Sequence, residues 1–200
     1  MADLKDLTIL QGETYTHELR WGTRPLKYKS ITAIQQSAPV RITAVGHGLT
    51  DGWKVAITNV KGMAELNATA NAVKDKDYHV ATVVDVDTIE INEINAAGFK
   101  AYTSGGQLQF TTPVDLAGYT ARMSIKDIVG GTELMSLTTV NGRIVIDNTN
   151  KTITLELAEA DVNAIAWSKG VYDLELKSPV GKVTTLLYGS VAVTKEVTTN

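Results

Sequence analysis

The side chains able to carry chemistry are few, and their spacing decides what they can do. The chain holds three histidines and no cysteine, which excludes thiolate metal sites, cysteine nucleophiles and disulfide staples and leaves no marker of redox compartment. His17 lies in phase with Tyr15 and Leu19, which predicts a partly buried, hydrogen-bonded core histidine. His47 stands between Gly46 and Gly48, where shaping a sharp reversal outweighs ligating a metal. None of the three, His79 included, has a second histidine or a carboxylate at a spacing that would present a metal face. Asp75 with Asp77 and Asp85 with Asp87 form pairs one residue apart. The calcium-loop series and its closing Glu are missing, so these acids read as solvated turn residues. Gly46, Gly48 and Gly52 match neither a dinucleotide nor a Walker loop. The serines in Thr-Ser-Gly-Gly and Tyr-Gly-Ser lack the nucleophile elbow. Sequence alone does not bring Glu90, Glu93 or Glu156 together in a cleft. Two glycosylation sequons, at Asn67 and Asn150, read as chance matches in a chain without a secretion signal. The expectation is a protein with no catalytic set, no cofactor and no metal.

The elements that would position such residues are strands. With 200 residues, 44% hydrophobic and 20% charged, the chain can bury a core. Nineteen Lys+Arg against 22 Asp+Glu give a charge of −3 with no block of like charge, a poor match to a phosphate backbone. No stretch reaches the roughly 18 uninterrupted apolar residues of a membrane span, and MADLKDLTIL lacks a basic region followed by an apolar one. We therefore expect a soluble protein without an export signal, whose partners include neither nucleic acid nor membrane. Tyr15, His17, Leu19 and Trp21 alternate with Thr16, Glu18 and Arg20. The same period of two recurs at Ala121 to Lys126, Ile153 to Leu157 and Tyr172 to Leu176, which predicts an all-β protein with several antiparallel strands. Asn141-Gly142 predicts a two-residue hairpin turn between LTTV and RIVID, and Pro179 to Lys182 a hairpin joining the last two strands. Ala158, Val162, Ile165 and Ala166 have helical spacing, with Gly170 as the stop. That short helix would cap one end of a sandwich.

Roughly from Thr32 to Phe110 the texture changes to more Ala and Asn and to short strands broken by glycines. Strands are expected over Arg41 to Val45, Lys54 to Asn59, His79 to Val84 and Thr88 to Asn92, which suggests a small barrel. Alternation on both sides of this block predicts a discontinuous antiparallel β-sandwich host of residues 1–31 and 111–200. Residues 32–110 would be inserted in it as a small barrel-like domain.

VGHGLTDG at Val45 to Gly52, GMAELN at Gly62 to Asn67 and AYTSGGQLQF at Ala101 to Phe110 occur in order. Together they resemble a small β module of phage virion proteins related to the FCCH domain of ubiquitin-activating enzymes. PVDLAGYTARMSIKD, LTTVNGRIVID and VYDLELKSPVGKVTTLLYGSVAVTKEVT, with an early QGETYTHEL, resemble the β-sandwich of phage tail and baseplate proteins related to the N-terminal domain of the upper baseplate protein family. The resemblance implies a virion structural protein and no ubiquitin chemistry, since no catalytic cysteine exists to carry over. The Ala-rich AELNATANAVKDKDYHV stretch departs from the module pattern.

The resulting expectation is a non-enzymatic structural subunit of a tailed-phage virion, in the tail, baseplate or fibre-attachment region, assembled in the host cytoplasm. It would dock to other virion proteins and to copies of itself through sheet edges and loop tips. The terminal strand region, with Leu187 and Val191, and the first strand, with Ile9, are the expected edges. The loops at Gly46 to Trp53 and Tyr102 to Gly106 are expected to project outward, making His47, Trp53 and Tyr102 candidate contacts. Two alternatives stay open. One is a carbohydrate-binding tail module contacting host glycan, with Trp53, Tyr102 and Trp167 as its platform because Trp21 lies on a core phase. The other is a capsid decoration or head-fibre protein, which uses the same physics at another address.

Overall fold

Apolar and polar residues alternate along runs such as Thr120 to Lys126, so one face is buried while the other stays wet. The computed structural model describes residues 3–70 and 73–196. The chain opens with β1 (Asp3–Leu4), β2 (Leu7–Leu10) and β3 (Tyr15–Leu19). It runs on through β4 (Gly22–Ser30), β5 (Ala33–Gln35), β6 (Val40–Thr43) and β7 (Lys54–Lys61). Then come β8 (Tyr78–Val80), β9 (Thr82–Val83), β10 (Thr88–Ile91) and β11 (Ser104–Pro113). The last part holds β12 (Thr120–Lys126), β13 (Glu133–Thr138), β14 (Ile144–Asp147), β15 (Thr152–Leu157), α1 (Glu159–Asn163), β16 (Lys169–Lys177) and β17 (Val183–Thr194). The fold is all-β. Its contacts divide it into two units, one of residues 3–21 and 115–196 and one of Gly22–Val114.

The first unit is sandwich-like. A six-stranded sheet runs β1-β17-β16-β12-β13, with β2 also paired to β17, and a three-stranded sheet runs β14-β15-β3. Met123, Ile125, Leu137, Leu174 and Leu176 are buried from the larger sheet, and Ile144, Ile153, Leu155 and Leu157 from the smaller. The sheet is not purely antiparallel, because β1 and β2 both pair parallel to β17. Between them the chain steps at Lys5 and Asp6. Asp6 accepts hydrogen bonds from the Ser190 amide (2.9 Å) and hydroxyl (2.7 Å), and the Tyr172 hydroxyl donates to the Lys5 carbonyl (2.8 Å). Gly189 makes this step possible, since a Cβ there would lie 2.3 Å from the Lys5 carbonyl oxygen.

The second unit packs two four-stranded sheets, β4-β11-β7-β8 and β5-β6-β10-β9. Val40, Ile42, Ile89 and Ile91 from one sheet and Val55, Ile57, Leu108 and Phe110 from the other share a single core. This corrects the expected barrel: the sheets remain open, with β4, β8, β5 and β9 as outer strands.

Four further expectations change. The unit boundaries fall near 21/22 and 114/115 rather than 31/32 and 110/111, because β4 pairs with β11 from Ser30↔Gln107 to Gly22↔Pro113. Asn141-Gly142 does not close a hairpin, because β13 pairs with β12 and β14 with β15. The turn instead carries the chain from one sheet to the other, and Asn141 Oδ1 accepts from the Thr138 and Arg143 amides. α1 ends at Asn163 and Gly170 lies inside β16, so another residue stops the helix. Only Val162 and Ile165 of its apolar set are buried. The terminal strand is internal, because β17 has β16 on one side and β1 and β2 on the other. By contrast the Pro179 to Lys182 reversal joins antiparallel β16 and β17, with the Gly181 amide donating to the Ser178 carbonyl at 2.8 Å.

Candidate functional site

In the second unit the loop after β6 and the reversal between β9 and β10 come together around one imidazole. His47 is only 3% exposed. Its Nδ1 accepts the Leu49 amide at 3.0 Å, which leaves the proton on Nε2 to donate to the Asp85 carbonyl, also at 3.0 Å. Asp87 adds a second tie, accepting the Gly46 amide at 2.7 Å, and its own amide donates to Asp85 Oδ1 at 2.8 Å. That bond to the Asp87 amide is the main reason the Asp85 carboxyl is held below the ordinary carboxylate range, helped by hydrogen bonds from Thr88. Gly46 and Gly48 both have positive φ, which lets the loop fold back over the ring. The fixed loops lift three valines into solvent: Val45 and Val86 are 63% and 73% exposed, and Val84 is also exposed.

A comparable tip closes one end of the first unit. Val140 and Val180 are 93% and 91% exposed on the β13–β14 and β16–β17 connections. A cleft of about 390 Å³ is lined there by Val140, Val183, Gly181, Arg122 and Glu175. Arg122 and Glu175 are register partners on β12 and β16 and form an ion pair beside it.

The residues expected to touch partners are mostly internal. Trp53 is 2% exposed in the core of the second unit, and its indole N–H donates to the Thr111 carbonyl at 3.2 Å. It is therefore neither a sugar platform nor a projecting contact. The signal was its phase with Val55 and Ile57, both buried on β7. His47 is a buried brace. Tyr102 is half-buried, and its hydroxyl interacts with the Ile31 and Gly105 carbonyls at 3.2 and 2.9 Å. Val191 is buried between Leu7 of β2 and Gly170 of β16, and Leu187 is half-buried opposite Asp3 and Leu174. Ile9 is buried too, although its strand does lie at the sheet margin. Among the tryptophans, Trp21 and Trp167 are half-buried, and Trp21 meets Tyr119 edge-on at 5.9 Å between ring centroids.

The other polar candidates are also placed. His17 is half-buried opposite Leu155, and burial, then the nearby Lys5 charge, pushes its pKa down. His79 pairs with Glu93, and Glu90 accepts from Arg41 Nε at 2.9 Å across β6 and β10. Asp77 corrects the reading of solvated turn acids. It is buried, accepts from the Lys74 and Thr69 amides and the Thr69 hydroxyl, and those bonds hold its pKa at about 2. Among the described residues no group of three or more His, Asp or Glu stands together as a metal-ligand set. What the described surface offers in each unit is a tip of exposed valines, Val45, Val84 and Val86 in the second and Val140 and Val180 in the first. Comparison of the sequence with models of known families and with curated proteins finds no match.

Proposed function

We propose that this protein is a non-enzymatic structural subunit of a tailed-phage virion, a tail, baseplate or fibre-attachment component that docks to other virion proteins and to copies of itself. The observation that carries the docking role is the set of exposed valines, Val45, Val84 and Val86, on loops braced by buried His47. Leaving apolar side chains in water is unfavourable, and holding them rigidly reduces the ordering cost when a partner covers them. The virion assignment draws on the motif resemblance. Assembly in the host cytoplasm follows from that assignment.

The test is incorporation into particles. Val45→Asp with Val86→Asp places charge on the tip without entering the core and is expected to leave the circular dichroism spectrum unchanged while occupancy in purified particles falls. Val140→Asp with Val180→Asp does the same for the first unit. Wild-type occupancy of both folded double variants would remove the docking surfaces from consideration. Failure of antibodies against the chain to label particles would remove the virion assignment, and the position of any label separates tail from capsid.

A further inference from the structure

The outer face of β4-β11-β7-β8 holds a cleft that the docking role does not use. Register places Tyr28, Gln109, Ala56 and Tyr78 in one row across the four strands, and Ser30, Gln107 and Thr58 in the next. Alternation explains the face, since Leu108 and Phe110, between and beyond the glutamines, point into the core. The row spans three inter-strand spacings, about 14 Å. Ala56 carries only a methyl group, so Gln109 Nε2 reaches over it to donate to the Tyr78 hydroxyl at 3.1 Å. This leaves the Tyr78 O–H free to donate and Gln109 Oε1 free to accept. Tyr28 is 52% exposed at the other end. The cleft measures about 570 Å³, and Arg24 is the single charged residue among the described residues that line it.

Its far wall is tied down. Asn67 Oδ1 accepts the Val60 amide at 2.8 Å and its Nδ2 donates to the Val60 carbonyl at 3.0 Å. The Ala68 amide donates to the Ile57 carbonyl at 2.8 Å, and buried Asp77 holds Thr69. Residues 67–69 of that wall are thus set before any ligand arrives.

We propose that this cleft is an oligosaccharide-binding site. Sugars present alternating hydroxyl donors and acceptors beside C–H faces, and the cleft answers with amides and phenol hydroxyls that do both, next to aromatic rings. A protein partner would be better served by an apolar centre, which the Gln107, Gln109 and Thr58 floor does not provide. Among the described residues that line the cleft none is a carboxylate, so the acid pair of glycoside hydrolysis is not among them and the activity proposed is binding. The inference is independent of the virion reading.

The test uses the full chain on an array of neutral and acidic oligosaccharides built from hexoses, N-acetylhexosamines and deoxyhexoses, followed by calorimetric titration of the best binder. Binding is expected, and Tyr28→Ala and Gln109→Ala should each weaken it at least about tenfold, with unchanged circular dichroism. Gln107→Ala, whose side chain makes no hydrogen bond to the described residues, serves as the variant least able to disturb folding and should weaken binding in the same direction. The proposal is overturned if no oligosaccharide binds, if binding survives all three substitutions, or if Tyr28→Ala instead abolishes capture of a protein partner.

Discussion

His47 and Trp53 show how a residue that looks like a functional contact can be a structural brace. Both imidazole nitrogens of His47 are used, so replacing the ring by alanine strands the Leu49 amide and the Asp85 carbonyl. An unpaired buried polar group costs about 1–3 kcal/mol. We expect His47→Ala to lower stability by that order in denaturant titration, and the Leu49 amide to lose hydrogen-exchange protection. If protection at Leu49 is unchanged, the brace is not what fixes the loop. Trp53→Ala removes a large buried ring and its bond to Thr111. The expected loss is about 3–5 kcal/mol, because the cavity is only partly refilled. A measured loss below about 1 kcal/mol would mean that the indole is not packed as described. This variant therefore tests the core and cannot serve as a probe of partner binding.

At the scale of elements, two attachments depend on single positions. The parallel docking of β1 and β2 on β17 needs the Lys5 carbonyl to pass over Gly189, where any Cβ collides. Gly189→Ala should therefore release the first strands, seen as lost exchange protection at Leu7 and Ile9 with β16 and β12 retained. Retained protection at those amides would show that the backbone absorbs the clash. The segment before β8 depends on charge instead. Asp77 ionises at about 2 in the folded chain, below its ordinary value of 3.8, because the Lys74 and Thr69 donors favour the carboxylate. A lowered carboxyl pKa contributes stability fully above the unfolded value and loses it as pH falls toward the folded one. Thermal stability should thus drop between about pH 4 and pH 2, and Asp77→Asn, already neutral, should show a smaller drop. Parallel acid profiles for the two proteins would place the effect in other carboxylates.

For the whole molecule, the decisive feature is where the chain leaves the first unit and returns. Gly22 and Pro113 are register partners in β4 and β11, so the segment begins and ends at neighbouring positions. Excising 22–114 and joining Trp21 to Asp115 through a short Gly/Ser link should leave a cooperative β fold, because loop closure over a short gap costs little. Excising 32–110 should do worse, since it strands β4 without most of its β11 partner and leaves a long unpaired edge. Circular dichroism and denaturant unfolding of both deletions check this. Equal behaviour of the two would mean that the β4–β11 pairing does not set the boundary.

The sequence by itself determined the strand character, the polar-out phase of runs such as Ala121 to Lys126, the 178–182 reversal and the turn role of His47. Each of these rests on residues within one strand or one turn, where spacing and backbone preference act locally. Only the tertiary structure decided which strands are neighbours. β13 and β14 carry a hairpin dipeptide between them yet join different sheets, β13 pairing with β12 and β14 with β15. Trp53 reads as a loop tip until Thr111, distant in sequence, closes over it. The cleft on the second unit is assembled from residues near 28, 58, 78 and 109, whose adjacency is a matter of register. Alternation tells that a strand has two unlike faces. Pairing across long stretches of chain settles what covers each one, and that choice is made by the packing of all the strands together.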